Sequence, residues 1–210
     1  SHNRIYRSGN FGIWLDWMTQ GTRVTQNLVY DNRQPDLFVE VNHGPFLIDN
    51  NIFLSKKGLL INSQGGSYAH NLMVGRVRVI HKERRLTPAQ VPHGTQVAAL
   101  HGNPSGDDRY YNNLMIRQTS LTPYDPAILP VFMAGNVFLA GAAPSKHETQ
   151  PMIDPEFDPN IKIIDKEDGI YLELALEKAW GTAGKRRLVT TEMLGKTKIT
   201  QLPYEQPDQS

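Results

Sequence analysis

The sequence predicts an all-β protein, in which a partial parallel β-helix is followed by a C-terminal antiparallel β extension. Three observations predict this class. Short runs of Val, Ile, Leu, Tyr and Phe are separated by Gly, Asn, Asp and Pro, as expected for short strands. No run keeps helical spacing over the roughly ten residues that a helix needs. One short motif also recurs at a nearly regular interval, which indicates a repeat architecture.

The recurring motif is an asparagine followed by two or three apolar residues. The copies begin at Asn27, Asn51, Asn71, Asn113 and Asn136, with a weaker copy in HNRIY (2–6). The five copies are spaced by 24, 20, 42 and 23 residues, so we expect each to belong to one coil of a β-helix. The long interval contains a polar stretch from about His81 to Asn103. We interpret that stretch as a loop inserted into one coil.

Asparagine suits a coil corner for two physical reasons. It tolerates the left-handed backbone of a tight corner, and stacked Asn amides can hydrogen-bond from coil to coil. The alternative is a β-sandwich whose turns contain Asn, although sandwich turns rarely keep one residue in phase with the same apolar triplet. The sequence pattern changes after the last copy of the motif, where a Pro-rich stretch begins. We therefore assign β-helix coils to 1–145 and the β extension to 146–210.

Composition excludes several functional classes. The 210 residues carry 22 basic and 21 acidic side chains, and this balance does not indicate a nucleic-acid partner. The basic segment KERR (82–85) is interpreted as a solvated loop. No apolar run reaches the roughly 18 residues of a membrane span. The chain has no cysteine and its histidines lack metal-ligand spacing, so we expect no metal and no cofactor.

Both ends of the chain indicate a piece of a longer protein. The first residues, SHNRIYRSGN, contain neither an initiator Met nor a signal segment, and LPYEQPDQS ends without a closing element. Homo-oligomerisation and association with the missing part of the protein are both left open. The compartment is left open between bacterial cytoplasm and periplasm.

The repeat supplies a register that pairs two acidic residues. Asp16 lies eleven residues before Asn27, and Glu40 lies eleven residues before Asn51. Equivalent positions on consecutive coils of a parallel sheet are about 4.8 Å apart at the backbone. The equivalent place on the third coil is expected to hold Leu60, so the fold itself does not require an acid there. Because adjacent like charges are destabilising, the pair indicates chemistry. A basic partner for each acid, or a register shifted by one residue, is the structural alternative.

Two adjacent carboxyl groups can divide the roles of proton donor and nucleophile between them. Retaining glycosidases use a pair roughly 5–5.5 Å apart, whereas inverting glycosidases need about 6.5–9.5 Å. Alternation along the strands predicts that the residues directly before and after each acid face the core. The residues two positions away from each acid are expected on the same outer surface as the acids. The expected core residues are Leu15, Trp17, Val39 and Val41. The expected outer residues are Trp14, Met18, Phe38 and Asn42, of which Trp14 and Phe38 could form a platform for a sugar ring.

Around these acids the sequence resembles a known family. GIWLDWMTQGTRVTQNLVYDN (12–32), FVEVNHGPFLIDNNIFLS (38–55), SQGGSYAHNLMVGR (63–76) and GDDRYYNNLM (106–115) are similar to the catalytic half of glycoside hydrolase family 120. The tail TTEMLGKTKITQLPYE (190–205) also resembles it. The resemblance implies a bacterial, exo-acting, retaining β-xylosidase on a right-handed parallel β-helix. It implies that Asp16 is the nucleophile, that Glu40 is the acid/base, and that the substrates are short xylo-oligosaccharides or related glycosides from xylan degradation.

Other polar residues near these segments are candidate substrate-binding groups. With Trp14 they are His43, Gln64, His101, Asp107, Asp108 and Arg109. A turn role for the segment containing His43 and a structural ion pair among the last three residues remain alternatives. Three functional alternatives also remain. They are a β-helix glycosidase acting on arabinose or fucose, a polysaccharide lyase, and a non-catalytic carbohydrate-binding β-helix.

Overall fold

The computed structural model describes residues 1–91 and 94–176, together with residues 190 and 193. This part of the chain is all-β apart from a short 3₁₀ helix, Thr122–Tyr124, so the predicted class is confirmed. The family-like tail 190–205 lies almost wholly outside the described residues. Nowhere in the described part is there a helix of the length and apolarity needed to cross a membrane.

Three sheets of parallel strands form the body of the described structure, and strands are numbered along the chain. Sheet 1 contains β1 (Arg4–Tyr6), β4 (Leu28–Tyr30), β7 (Ile52–Phe53), β10 (Leu72–Met73), β15 (Leu114–Ile116), β17 (Val137–Leu139) and β19 (Met152–Asp154). Sheet 2 contains β2 (Ile13–Leu15), β5 (Leu37–Glu40), β8 (Lys57–Asn62) and β11 (Arg76–Val79). Sheet 3 contains β3 (Arg23–Thr25), β6 (Phe46–Asp49), β9 (Gly66–Ala69), β14 (Arg109–Tyr111), β16 (Phe132–Ala134) and β18 (Glu148–Thr149).

From β1 to β11 the chain visits sheets 1, 2 and 3 in strict rotation. Each strand pairs in parallel with the strand one coil earlier, as in β1–β4–β7 and β2–β5–β8. After β11 the rotation continues through sheets 3 and 1 alone. These stacked parallel sheets are consistent with the predicted β-helix and leave no support for the sandwich alternative.

The asparagines that begin the repeats form a continuous ladder of amides. Each Nδ2 donates to the Oδ1 of the next asparagine at 2.9–3.1 Å, and each Oδ1 also accepts the preceding asparagine's backbone N–H. The ladder ends where the last amide donates to Glu148. The predicted coil-to-coil hydrogen bonds are therefore confirmed. Its members are Asn3, Asn27, Asn51, Asn71, Asn113 and Asn136.

The predicted backbone conformation of these asparagines is wrong. The left-handed residue at each corner is the one before the ladder asparagine, such as Gln26 (φ 57°) and His70 (φ 57°). That residue turns the chain, and the following asparagine then points its amide into the protein. The ladder side chains from Asn27 onward are 0–3% exposed, so their amides need internal partners.

The core lies between the three sheets and is built from inward-facing ladders of apolar residues. The pairing register stacks these residues one above another, coil by coil. In sheet 1 the ladder is Val29, Phe53, Met73, Met115 and Phe138; in sheet 2 it is Leu15, Val39, Ile61 and Val79; in sheet 3 it is Val24, Ile48, Tyr68, Tyr110 and Met133. All of them are at most 9% exposed. Burying three apolar ladders together is the main force that holds the coils in register.

The long interval between repeats does contain an insertion, but the insertion is a β-hairpin. Its strands, β12 (Thr87–Gln90) and β13 (Val97–His101), pair antiparallel. The hairpin is fastened to the coils by His43, whose Nε2 lies 2.7 Å from the Thr87 hydroxyl, and by Gln20, which accepts the Gln90 N–H. These contacts place the segment before the hairpin next to sheet 2.

The C-terminal part begins as a continuation of the parallel sheets. Strands β18 and β19 pair in parallel with β16 and β17, so the coils extend beyond residue 145 to Asp154. An antiparallel hairpin follows, formed by β20 (Lys162–Lys166) and β21 (Gly169–Glu173). Of the apolar segment YLELALEKAW (171–180), the first three residues lie in β21, and 177–180 lie outside the described residues. The extension over 146–210 stays a proposal, and this hairpin is the antiparallel part of it that the structure describes.

Candidate active site

Strands β2 and β5 bring the two predicted acids to neighbouring positions. Trp14 pairs with Phe38 and Leu15 pairs with Val39, so the next residues in the same register are Asp16 and Glu40. The predicted register is thus confirmed for this pair of coils. Parallel neighbours of this kind are about 4.8 Å apart at the backbone.

The predicted equivalent on the third coil is wrong. Glu40 pairs with Asn62, whereas Leu60 pairs with Phe38. The count from the ladder asparagine fails here because the third coil has two fewer residues between sheet 2 and Asn71. A polar amide, rather than an apolar side chain, therefore lies beside Glu40 on its other flank.

Two predicted side-chain orientations are also wrong. Trp17 is 48% exposed instead of buried, because β2 ends at Leu15 and strand alternation does not continue to it. Its backbone N–H instead donates to Asp16 Oδ1 at 2.8 Å. Asn42 is fully buried instead of exposed, because Val41 adopts φ 43° and reverses the alternation after Glu40. A β-branched residue in the left-handed region stores strain, and such strain is common at functional sites.

Trp14 lies on the outer surface as predicted, but Phe38, its partner in the predicted sugar platform, is only 7% exposed. Trp14 stacks on Phe38 with ring centroids 5.7 Å apart, and Phe11 packs against both rings. Trp14 remains 49% exposed, so one ring face is accessible to a ligand. Its Nε1–H donates to Glu40 Oε2 at 3.1 Å, which fixes the orientation of both side chains.

Arg85 provides a second hydrogen bond to Glu40. Its Nη2 donates to Glu40 Oε1 at 2.9 Å and to Glu83 Oε2 at 2.7 Å, and its Nε donates to Glu83 Oε1 at 3.0 Å. The other neighbour of Glu83 is Asn62, whose Nδ2 donates to Oε2 at 2.7 Å. KERR lies in a loop as predicted, and Arg85 is exposed there, but Glu83 and Arg85 also form hydrogen bonds with Asn62 and Glu40.

Hydrogen bonding in this network stabilises the charged forms of Glu83 and Arg85. Hydrogen bonding from Arg85 lowers the pKa of Glu83 to about 2. Hydrogen bonds to Glu83 and Glu40 raise the pKa of Arg85 above its ordinary value. Within the described residues, Asp16 has no basic side chain in ion-pair contact. Glu40 thus has the basic partner that the structural alternative required, and Asp16 does not.

The predicted residues His43, Gln64 and His101 form a buried group where the inserted hairpin meets the coils. Gln64 Nε2 lies 3.4 Å from His43 Nδ1, and the His43 and His101 rings meet edge to face at 5.4 Å. Desolvation, followed by the effect of His101, lowers the pKa of His43 to about 4, so its ring is neutral at pH 7. A neutral ring that accepts from Gln64 carries its hydrogen on Nε2 and donates it to Thr87. Substrate binding by these three residues stays a prediction.

The cluster Asp107, Asp108 and Arg109 divides into two environments. Asp107 and Arg109 form an ion pair at 2.8 Å, with side chains 27% and 14% exposed. Asp108 is fully buried and accepts the Gly66 N–H at 2.8 Å and the Tyr124 hydroxyl at 2.9 Å. These contacts match the structural alternative, and sugar binding by the cluster stays a prediction.

We expect Asp108→Asn to stabilise the protein at pH 8. Burial raises the pKa of Asp108 from 3.8 to about 8, so the folded state holds a proton that the unfolded state releases above about pH 4. Wild-type stability should therefore fall as pH rises from about 4 to 8. In the variant, the asparagine Oδ1 still accepts the Gly66 N–H, and its Nδ2 donates to the Tyr124 hydroxyl. That hydroxyl can in turn donate to the Tyr110 hydroxyl.

Urea unfolding at pH 5 and pH 8 measures this effect. The variant should be the more stable protein at pH 8 by about 1–3 kcal/mol, with little difference at pH 5. Asp107→Asn is the matched control and should leave the pH dependence almost unchanged. Equal pH dependence in the Asp108 variant and the wild type would show that Asp108 is ionised in the folded protein.

A cleft of about 470 Å³ lies next to the hydrogen-bond network of Glu40, Arg85 and Glu83. Glu83 belongs both to its wall and to the hydrogen-bond network of Glu40. Its wall is mixed, with exposed aliphatic side chains and polar groups such as the buried Asn103, whose Oδ1 has no hydrogen-bond partner among the described residues. The lining residues are His81, Lys82, Glu83, Leu86, Leu100, His101, Gly102, Asn103, Pro104 and Ile128.

Comparison with solved structures finds a similar protein, XylC, in a complex with xylose. The match has a TM-score of 0.78 and 35% sequence identity, and it covers 86% of this chain. The same match covers 33% of the XylC chain, so this chain corresponds to about one third of that protein. No family model matches the sequence, and no curated protein matches it.

Proposed function

We propose that this chain is the catalytic portion of a retaining β-xylosidase of glycoside hydrolase family 120. The observation that carries the proposal is the pairing of β2 with β5, which sets Asp16 beside Glu40. The similarity to XylC, a protein solved with xylose, supports a xylose-containing substrate. The three parallel sheets would then be the wall of a right-handed parallel β-helix. Release of xylose from short xylo-oligosaccharides is the reaction proposed.

The mechanism is a double displacement. Asp16 is exposed and free of a basic partner in the described structure, so its carboxylate attacks the anomeric carbon. Glu40 donates a proton to the leaving oxygen and then removes a proton from the water that hydrolyses the glycosyl-enzyme. The adjacent-strand spacing supports the shorter carboxyl separation of retaining enzymes.

The surroundings of the acids support a sugar substrate. The accessible face of Trp14 offers an apolar surface for a sugar ring. The cleft beside Glu83 offers further space along the coils beyond Glu40. Because Glu40 protonates the leaving oxygen, the leaving group would extend from Glu40 towards this side.

The contact of Arg85 with Glu40 requires the polysaccharide lyase alternative to be considered, because β-helix lyases use a basic residue as the catalytic base. The contacts of Arg85 argue against that role. Its guanidinium donates to two carboxylates, and these hydrogen bonds raise its pKa further. A side chain held in its protonated form cannot remove a proton from a substrate.

A mechanism-based trap tests the proposal. A fluorinated β-xyloside with a good leaving group should form a glycosyl-enzyme that hydrolyses slowly, with the label on the peptide that contains Asp16. Intact mass spectrometry and peptide mapping measure it, and Asp16→Ala is the negative control. Labelling elsewhere, or inverted product in an NMR assay of the natural reaction, would contradict the retaining mechanism. Arabinosides and fucosides assayed alongside distinguish the sugar.

A further inference from the structure

Glu40 accepts one fixed hydrogen bond on each carboxyl oxygen, and the two donors come from different parts of the chain. Trp14, on the neighbouring strand β2, donates to Oε2. Arg85, in the inserted segment, donates to Oε1. The Glu40 side chain is 16% exposed, and the Arg85 side chain is 44% exposed. The insertion therefore delivers a cation to the carboxyl group from the solvent side.

Arg85 is held independently of Glu40. Two of its nitrogens donate to both oxygens of Glu83, the geometry that an arginine fork favours. Glu83 Oε1 also accepts the backbone N–H groups of Arg84 and Arg85, and Asn62 holds its other oxygen. Because Asn62 is the partner of Glu40 in the β5–β8 pairing, the anchor of the loop lies one coil from the acid. The guanidinium is thus preorganised.

The net charge of Glu40, Arg85 and Glu83 depends on whether Glu40 carries its proton. When Glu40 is protonated, Arg85 and Glu83 form a neutral pair; when it is ionised, the trio has a net charge of about −1 by formal counting. Asp16, directly after β2, is another acidic group beside Glu40 when the β2–β5 register is extended by one residue. Loss of the proton from Glu40 creates a negative charge on an oxygen that already faces Arg85. A cation preorganised where charge develops stabilises the transition state.

We propose that Arg85 is a positioning residue that holds the Glu40 carboxyl group for proton donation and stabilises the charge that develops on it. This inference rests on the proposed glycosidase function. Arg85 touches no bond that breaks, and it acts only through Glu40. Glu83 keeps Arg85 in place and, by sharing its charge, allows Glu40 to recover a proton in the second step of the reaction.

The dependence of rate on the leaving group tests this role. A phenyl xyloside has a poor leaving group and needs proton donation, whereas a dinitrophenyl xyloside leaves without a proton. Arg85→Ala should lower kcat/KM for the phenyl xyloside about 100-fold and for the dinitrophenyl xyloside less than about threefold. Arg85→Lys should fall between Arg85→Ala and the wild type, because it keeps the charge but loses the fork.

Arg84→Ala is the matched control, because it removes the neighbouring arginine side chain from the same loop. Arg84 forms no ion pair among the described residues, so both rates should stay at the wild-type level. Equal losses on the two substrates would show that Arg85 has only a structural role, and unchanged rates would show that it has none. Should Arg85→Ala fail to fold, as judged by circular dichroism, Arg85→Lys decides by the same comparison. A wild-type protein that cleaves neither xyloside would overturn the proposed function instead.

Discussion

Asp16→Ala and Glu40→Ala should each lower kcat/KM for a phenyl β-xyloside by at least about a thousandfold. In the proposed mechanism, removal of Asp16 leaves the sugar without a nucleophile. Without Glu40 neither leaving-group protonation nor activation of water takes place. These are the largest effects expected of any single substitution in the chain, because the two residues perform both chemical steps of the proposed mechanism. Release of phenol and xylose under steady-state conditions measures the loss.

Azide distinguishes the two roles. It should restore turnover of a dinitrophenyl xyloside by Glu40→Ala and yield a β-xylosyl azide, because azide needs no base and attacks the glycosyl-enzyme directly. It should not yield that product with Asp16→Ala, which forms no glycosyl-enzyme. Asp31→Ala is the control, since this exposed acid pairs only with the exposed Arg7 in the described structure, and its activity should be unchanged. Near-normal turnover in both active-site variants would overturn the assignment.

Asn71→Ala should destabilise the protein by about 3 kcal/mol or more. Asn71 lies in the middle of the amide ladder, and its Oδ1 accepts both the backbone N–H and the side-chain amide of Asn51. Its Nδ2 donates to the Ile48 carbonyl at 2.9 Å and to Asn113 at 3.0 Å. Alanine therefore leaves buried donors and acceptors of three other residues without these partners, and no water can easily replace them.

Asn3→Ala is the matched control for the ladder. Asn3 is exposed, and among the described residues its side chain donates to Asn27 alone; its backbone N–H keeps its bond to Asn27 in the variant. It should cost about 1 kcal/mol or less. Urea unfolding of both variants measures the difference, with activity of the folded Asn71→Ala protein checked separately. Equal costs at the two positions would show that the ladder does not contribute to stability through its buried amides.

The repeat in the sequence was sufficient to predict the coils and the neighbouring acids. A ladder residue must recur once per coil, so its spacing is visible in the sequence, and counting from Asn27 and Asn51 locates Asp16 and Glu40. The same count failed on the third coil, where Asn62 and not Leu60 lies beside Glu40. Coil length varies between the corner and sheet 2, and the position of the asparagine does not record where the missing residues are.

Local geometry explains the other wrong orientations. Alternation predicts side-chain direction only while the backbone remains extended. It ends after Leu15 on one acidic strand, and at the left-handed Val41 on the other. Trp17 is consequently exposed and Asn42 buried. Positive φ at a valine is disfavoured locally, so the residue type gives no indication of it.

The sequence by itself determined the all-β class, the coil repeat and the adjacency of Asp16 with Glu40, because each depends on a period that the residues repeat. The hydrogen-bond partner that the insertion supplies to Glu40 was decided only by the tertiary structure. Arg85 lies 45 residues away in an insertion that follows no period, and Asn62, Glu83 and Thr87 are needed to hold it in place. A contact between a repeat and an insertion depends on how the loop folds back, and no spacing in the chain encodes that path.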